Sequence, residues 1–238
     1  MSFFENTRKP VGLGGKIMVA MMNIGHSAMA AWGLRFLQLA PDAMVLDCGC
    51  GGGANIKTLL KRCPKGKVQG IDYSAVSVEK TRKVNAGAIV AGRCAVQQAS
   101  VAELPFEAEQ FDVVTAFETV YFWPELAQNF REVYRVLKLG GTFFICNEAN
   151  GETTKDDKWT QIIDGMTIYT DTALKTYLEQ AGFCKIQSRK SKKGFTVHHS
   201  AEMRCEYVKK SNGIPKKRDE PDVPGQGNLQ AFEHRLDR

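Results

Sequence analysis

Two aspartates stand where a chain can grip a nucleoside. Asp47 ends the apolar run Val45-Leu46 and is followed by Cys48-Gly49-Cys50-Gly51-Gly52-Gly53. Asp72 ends Val68-Gln69-Gly70-Ile71 and is followed by Tyr73 and Ser74. Glycines in a turn let backbone approach a ligand, and the free N–H groups of a helix start attract an anion. An acid at the end of the next strand can accept from both hydroxyls of a ribose. Gly49, Gly51 and Ala54 satisfy the dinucleotide pattern G-x-G-x-x-G/A, a weak signal when it occurs alone.

These groups need strands and helices to hold them, and the hydrophobic spacing supplies both. Ile56, Leu59, Leu60 and Cys63 share one helix face, which predicts a helix over 53–63 that ends before Pro64. A strand over 67–72 follows, then a helix over 75–85 with Ser74 as its N-cap, then a strand near 94–98. A fourth strand spans 111–117. After Pro124, the apolar residues Leu126, Phe130, Val133, Tyr134 and Leu137 define a helix stopped by Gly140-Gly141, and 142–147 is a fifth strand. A last helix over 171–181 stops at Gly182, and strands at 183–190 and 194–199 turn at Lys192-Lys193-Gly194. Strands alternating with helices predict a mostly parallel sheet with helices on both faces.

The blocks VLDCGCGGG, GIDYS, LPFEAEQFDVVTAFETVYFWP and FREVYRVLKLGG, taken in order, resemble the class I S-adenosylmethionine (SAM)-dependent methyltransferases, in particular the group that includes quinone and sterol methyltransferases. The resemblance covers Val45 to Gly141 and extends more loosely to about Ser200. It implies a Rossmann-like fold with a seven-stranded sheet, mostly parallel with an antiparallel last strand, and SAM as the cofactor. It also implies roles. Gly49, Gly51 and Gly53 form the turn beneath the methionine portion and ribose, and Asp47 orients that turn and reaches toward the SAM amino group. Asp72 accepts from the ribose hydroxyls. Tyr73 stacks beside the adenine, Ser74 caps the next helix, and Ser100 and Val101 line the adenine. An acid is common in the family where Ser100 stands, and serine keeps an acceptor there. Phe117 and Glu118 lie by the methionine portion.

The acceptor side is less marked. Candidates are His26, in Met22-Asn23-Ile24-Gly25-His26, and Tyr121 and Trp123 after the fourth strand. Trp159 and Tyr169 belong to the long connection 148–169, which has the length of a lid. His26 is either a structural hydrogen-bonding residue or a base toward the acceptor, and Tyr121 and Trp123 either meet the acceptor or wedge the next helix. No Ser-His-Asp grouping and no set of metal ligands stands out, so the catalytic residue is unknown and a metal is not expected. SAM brings an activated methyl, so binding, alignment and exclusion of water suffice for in-line displacement, and orientation is worth ~7–11 kcal/mol.

Residues 1–15 are expected to be irregular, and 17–39 to form one or two helices, so that 1–40 caps the cofactor site. The segment is interrupted by Asn23, His26, Ser27, Arg35 and Gln38, which argues against a membrane span, and it lacks a convincing cleavage site. The methyltransferase domain is expected over 41–200. Residues 201–238, with Pro215, Pro221, Pro224, Gly225 and Gly227, form an extension expected to be mobile beyond a short helix near 201–210.

The seven cysteines include no C-x-x-C pair, which suits reduced thiols in a cytoplasmic protein. The net charge of +6 comes almost entirely from Lys185, Arg189, Lys190, Lys192 and Lys193. Bases confined to one hairpin suit a guarded sheet edge better than a nucleic-acid groove, which draws basic residues from several elements. The function expected is methyl transfer to a small, partly hydrophobic acceptor. The alternatives are a nucleic-acid methyltransferase, a nicotinamide-dependent oxidoreductase, and a SAM-binding protein without transfer chemistry.

Overall fold

Side chains alternate across a strand, so consecutive apolar residues feed two cores. In β1 (Met44–Cys48), Val45 packs on one face of the sheet and Leu46 on the other. In β4 (Phe111–Phe117), Val113 and Val114 divide in the same way, as do Phe143 and Phe144 in β5 (Leu137–Asn147). Strands this apolar are covered on both sides, as parallel sheets require. The computed structural model describes residues 7–8, 10–192 and 194–201. The helix expected near 201–210, the extension after it and Lys193 lie outside the described residues.

The sheet has seven strands in the order β3-β2-β1-β4-β5-β7-β6. The strands β2 (Lys67–Asp72) and β3 (Cys94–Gln98) extend one half, and β4 and β5 the other, all in parallel pairs. Next, β7 (Thr196–Ala201) runs antiparallel between β5 and the outer strand β6 (Ile186–Lys190). This is the expected mostly parallel sheet with one antiparallel strand. The chain reverses its direction of travel across the sheet between β1 and β4, and open α/β sheets bind ligands at the carboxyl edge of such a point.

One face is covered by α6 (Leu126–Val136) and α8 (Asp171–Gln180), whose Phe130, Val133, Leu174 and Leu178 are buried. The other carries α3 (Ala54–Arg62) and α4 (Ala75–Val84), through Ile56, Leu59, Leu60 and Val78. A short helix, α5 (Ala86–Val90), follows α4 and is absent from the sequence reading. The pair α1 (Gly12–Gly25) and α2 (Ser27–Gly33) packs on the same side, with Met29, Ala30 and Leu34 in the core. Among the described residues no single helix is long and apolar enough to cross a membrane.

Several boundaries differ from expectation: β6 starts at Ile186 rather than 183, and β7 spans Thr196–Ala201 rather than 194–199. The first helix begins at Gly12 rather than after residue 15, because Pro10 and Val11 are extended and Gly15 donates its N–H to Val11 at 2.8 Å. Helix α6 stops at Val136, since Leu137 turns to extended backbone and pairs with Phe111. Gly140-Gly141 therefore does not end the helix. It sits in an irregularity within β5, where the register jumps from Leu137 opposite Phe111 to Thr142 opposite Val113. The connection after β5 contains a helix, α7 (Thr154–Ile162), rather than being loose through Lys158.

Candidate active site

The turn after β1 is pinned to the end of β2. The N–H groups of Gly49 and Cys50 both donate to the Ile71 carbonyl at 2.9 Å, and Gly51 donates to Asp72 Oδ2 at 2.9 Å. Gly49 has φ +76, and a Cβ there would lie 2.2 Å from Thr119 Oγ1, so only glycine fits between β1 and the loop after β4. Gly53 has φ +79 and precedes α3, with its hydrogen facing Asn85 and Thr81 of the α4 layer.

Asp72 is buried at 7% exposure. Its Oδ1 accepts the Ser74 N–H at 2.9 Å. Burial raises its carboxyl above the usual range, while the N–H groups of Ser74 and Gly51 pull the other way. The Ser77 side chain also bonds to this carboxylate, so three of its four acceptor positions are filled and one is left for a sugar hydroxyl. Ser74 is the N-cap expected of it: its Oγ accepts from Ser77 at 3.4 Å and donates to the Pro10 carbonyl at 2.7 Å.

Asp47 lies below this layer at 1% exposure. Thr115, its partner across the β1–β4 ladder, donates to Oδ1 at 2.7 Å. Oδ2 is buried with no partner. Burial, with the charge of Asp72 nearby, pushes the Asp47 carboxyl up to about 7.

A cavity of about 400 Å³ opens over these strand ends, within the roughly 300–1,000 Å³ usual for small-ligand sites. Gly49, Gly51, Asp72, Tyr73, Ser100, Val101, Phe117 and Glu118 all line it. Of the acceptor-side candidates, His26 and Trp123 line it too. Asp47, Gly53 and Ser74 stand behind the wall rather than in it. The remaining candidates are placed elsewhere. Tyr121 is 2% exposed, and its hydroxyl accepts the Ala149 N–H at 2.9 Å and lies 3.2 Å from Glu118 Oε1. It is a wedge under the site. Tyr169 packs on Tyr177, with ring centres 5.8 Å apart, and Trp159 is covered by Lys158 at 4.8 Å; neither lines the cavity. Trp123 has both roles: its ring stacks on Phe143 at 6.2 Å, its Nε1 donates to Thr119 Oγ1 at 3.1 Å, and one edge reaches the cavity.

The sequence reading did not single out Arg8, Met22, Asn55, Thr119 or Phe122, which also line the cavity. Met22 was visible as an apolar position next to His26. The others carry no local signal, because they arrive by packing. The Tyr73 hydroxyl donates to the Arg8 carbonyl and ties the N-terminal segment to this wall of the cavity.

Glu118 follows β4 with φ +57. Its side chain is partly accessible yet deep enough in the cavity wall for desolvation to dominate, and its carboxyl is pushed up to about 8. Burial lowers the pKa of His26, while the charge of Glu148 acts in the opposite sense. The cavity wall thus combines an imidazole whose charged form burial disfavours, carboxyls that burial raises, and apolar surface.

The cavity at the reversal point of a 3-2-1-4-5-7-6 sheet defines a Rossmann-like fold with a ligand-sized site at its carboxyl edge. Residues 46–145 match the family model described as a methyltransferase domain. The chain is 28% identical over 143 residues to 24-methylenesterol C-methyltransferase 2 of Arabidopsis thaliana, covering 59% of this chain and 38% of the relative. It is 32% identical over 110 residues to the ubiquinone/menaquinone biosynthesis C-methyltransferase UbiE of Geotalea daltonii, covering 46% and 47%. The chain thus spans less than half the length of either relative. Among solved structures, geranyl diphosphate C-methyltransferase from Streptomyces coelicolor A3(2) superposes with a TM-score of 0.65 at 16% identity, over 82% of this chain and 86% of that one. The match to a methyltransferase domain thus spans residues 46–145, from within β1 to within β5.

Proposed function

We propose that this protein transfers a methyl group from SAM to a small, partly hydrophobic acceptor. The observation that carries the reading is the meeting of Asp72 with the glycine turn at the floor of a cavity whose opposite wall is apolar. The fit to SAM is specific. Asp72 retains acceptor capacity for a ribose hydroxyl beyond its two backbone bonds and its bond to Ser77. Ser100 and Val101 flank the adenine end of the cavity, and Asp47 lies behind its wall with Oδ2 unpartnered. When bound, SAM supplies a methyl on a sulfonium, open to in-line displacement.

The chain's own residues do the rest. Gly49 and Gly51 shape the floor and Asp72 fixes the sugar. Met22, Ala30, Phe122 and Trp123 give the acceptor side an apolar wall that excludes water. The helices of residues 1–40 act as its cap, over a transfer domain at 41–200, and the 148–169 connection is the second segment able to shield it. C-methylating relatives named for sterols and quinones favour an apolar acceptor of that kind. The basic hairpin supports a guarded edge over nucleic acid: β6 is the outer strand, Lys190 pairs with Glu152, and Arg189 lies 5.2 Å over the Phe36 ring. Cys48, Cys50, Cys63, Cys94 and Cys146 carry free thiols, in keeping with a reducing, cytoplasmic setting.

Calorimetry with SAM and with NAD tests the cofactor; binding of NAD but not SAM overturns the reading. Transfer of labelled methyl from SAM into a metabolite extract then tests the activity and identifies the acceptor.

A further inference from the structure

Three potential metal donors from three distant segments meet at the cavity wall, where His26 and Glu118 line the cavity and Glu148 lies beside them. The ligating atoms of His26, Glu118 and Glu148 all lie within 4.8 Å of one another. From this juxtaposition and the open cavity beside it, we propose that the three side chains form a divalent-cation site, suited to manganese, iron(II) or zinc, whose free positions face the acceptor.

Each donor is placed by its surroundings. His26 sits at the break between α1 and α2 and is bonded to both: its N–H donates to Met22 at 3.0 Å and its carbonyl accepts from Ala30 at 2.9 Å. The ring therefore projects from a fixed corner into the cavity wall. Glu118 and Glu148 follow adjacent strands, and the backbone N–H of Glu148 donates to Glu118 Oε1. The Tyr121 hydroxyl also contacts Oε1. Both contacts fall on one oxygen, which leaves Oε2 for a further ligand.

The electrostatics point the same way. Among the described residues, no ion pair joins Glu118 or Glu148 to a lysine or arginine. A divalent cation among them would bind the two carboxylates and one imidazole nitrogen. Bonds of about 2.0–2.2 Å span donors up to roughly 4.4 Å apart, so small side-chain rotations close the set. One nitrogen and two carboxylates favour manganese, iron or zinc over calcium or magnesium, which prefer all-oxygen shells. Three protein ligands leave positions open, the arrangement of catalytic rather than structural sites. A hydroxyl, carbonyl or phosphate oxygen of the acceptor would fill one of them. That role rests on the proposed methyl transfer; the site itself does not.

The test uses the full chain, treated with chelator and titrated with manganese chloride. Free manganese is followed by electron paramagnetic resonance and heat by calorimetry, with no SAM or acceptor present. One manganese per chain is expected, with proton release and a histidine nitrogen coupling in the bound spectrum. His26→Gln and Glu148→Gln should each weaken uptake by about tenfold or more, while native circular dichroism is retained. Glu148 is exposed, so its variant separates ligation from folding. Absence of manganese or zinc uptake at about 1 mM, or uptake unchanged in the folded Glu148→Gln variant, overturns the site. A parallel SAM titration without metal keeps the two readings apart: lost SAM binding with intact manganese uptake sinks the methyltransferase reading alone.

Discussion

Asp72 Oδ2 accepts the N–H of Gly51 at 2.9 Å, so the acid proposed to bind the sugar also fastens the glycine turn after β1. Sequence-distant elements are thus locked together by the same carboxylate that is to meet the cofactor. Asp72→Ala should therefore weaken SAM binding by ~1–3 kcal/mol, through lost charge-assisted bonds and a loosened floor. Asp72→Asn keeps one oxygen and should lose less. Calorimetric titration of both variants checks this, and unchanged affinity in the alanine variant counts against the ribose role.

The pH dependence of stability should report Asp47. Its carboxyl is raised from 3.8 to about 7 in the fold, so between those values the native state holds a proton that the unfolded state has released. The contribution is fully present below about pH 4 and is lost as pH rises through 7, by up to about 4 kcal/mol. Glu118, raised from 4.5 to about 8, acts with the same sign in its own window. Asp47→Asn should remove the Asp47 part of this decline. Urea denaturation from pH 4.5 to 8.5 measures it, and identical slopes in the two proteins would contradict the assignment.

Gly49→Ala combines a positive φ with a Cβ 2.2 Å from Thr119 Oγ1. Strain and displacement of the Thr119 side chain should cost ~1–3 kcal/mol of stability and also weaken cofactor binding. Gly51→Ala has φ +50 but no atom within 4 Å of its Cβ, so it carries the strain without the clash and should destabilise less. Thermal melts of the pair rank the two effects.

Tyr121→Phe removes the hydroxyl that bridges Glu118 and the Ala149 backbone. The ring stays packed, but the Ala149 N–H is left buried without its acceptor, a cost of ~1–3 kcal/mol. If Tyr121 is the wedge its burial indicates, apparent affinity for SAM should change little while the melting temperature falls. Reduced turnover at unchanged stability would instead place the hydroxyl at the acceptor.

The sequence alone determined what depends on local pattern. Period-two and helical apolar spacing set the order of the elements, and glycines and an acid at strand ends marked the cofactor floor, because these signals act within a few residues. Ser74 as a cap and Asp72 at the strand end lie where local chemistry puts them. Boundaries shifted where pairing outweighed propensity, as when Leu137 left its helix to meet Phe111. Only the tertiary structure decided which aromatics reach the cavity, since Tyr121, Trp159 and Tyr169 look alike in sequence yet pack away from it. It also brought His26, Glu118 and Glu148 together. No spacing encodes that meeting, because it is made by a helix break folding over the ends of two adjacent strands.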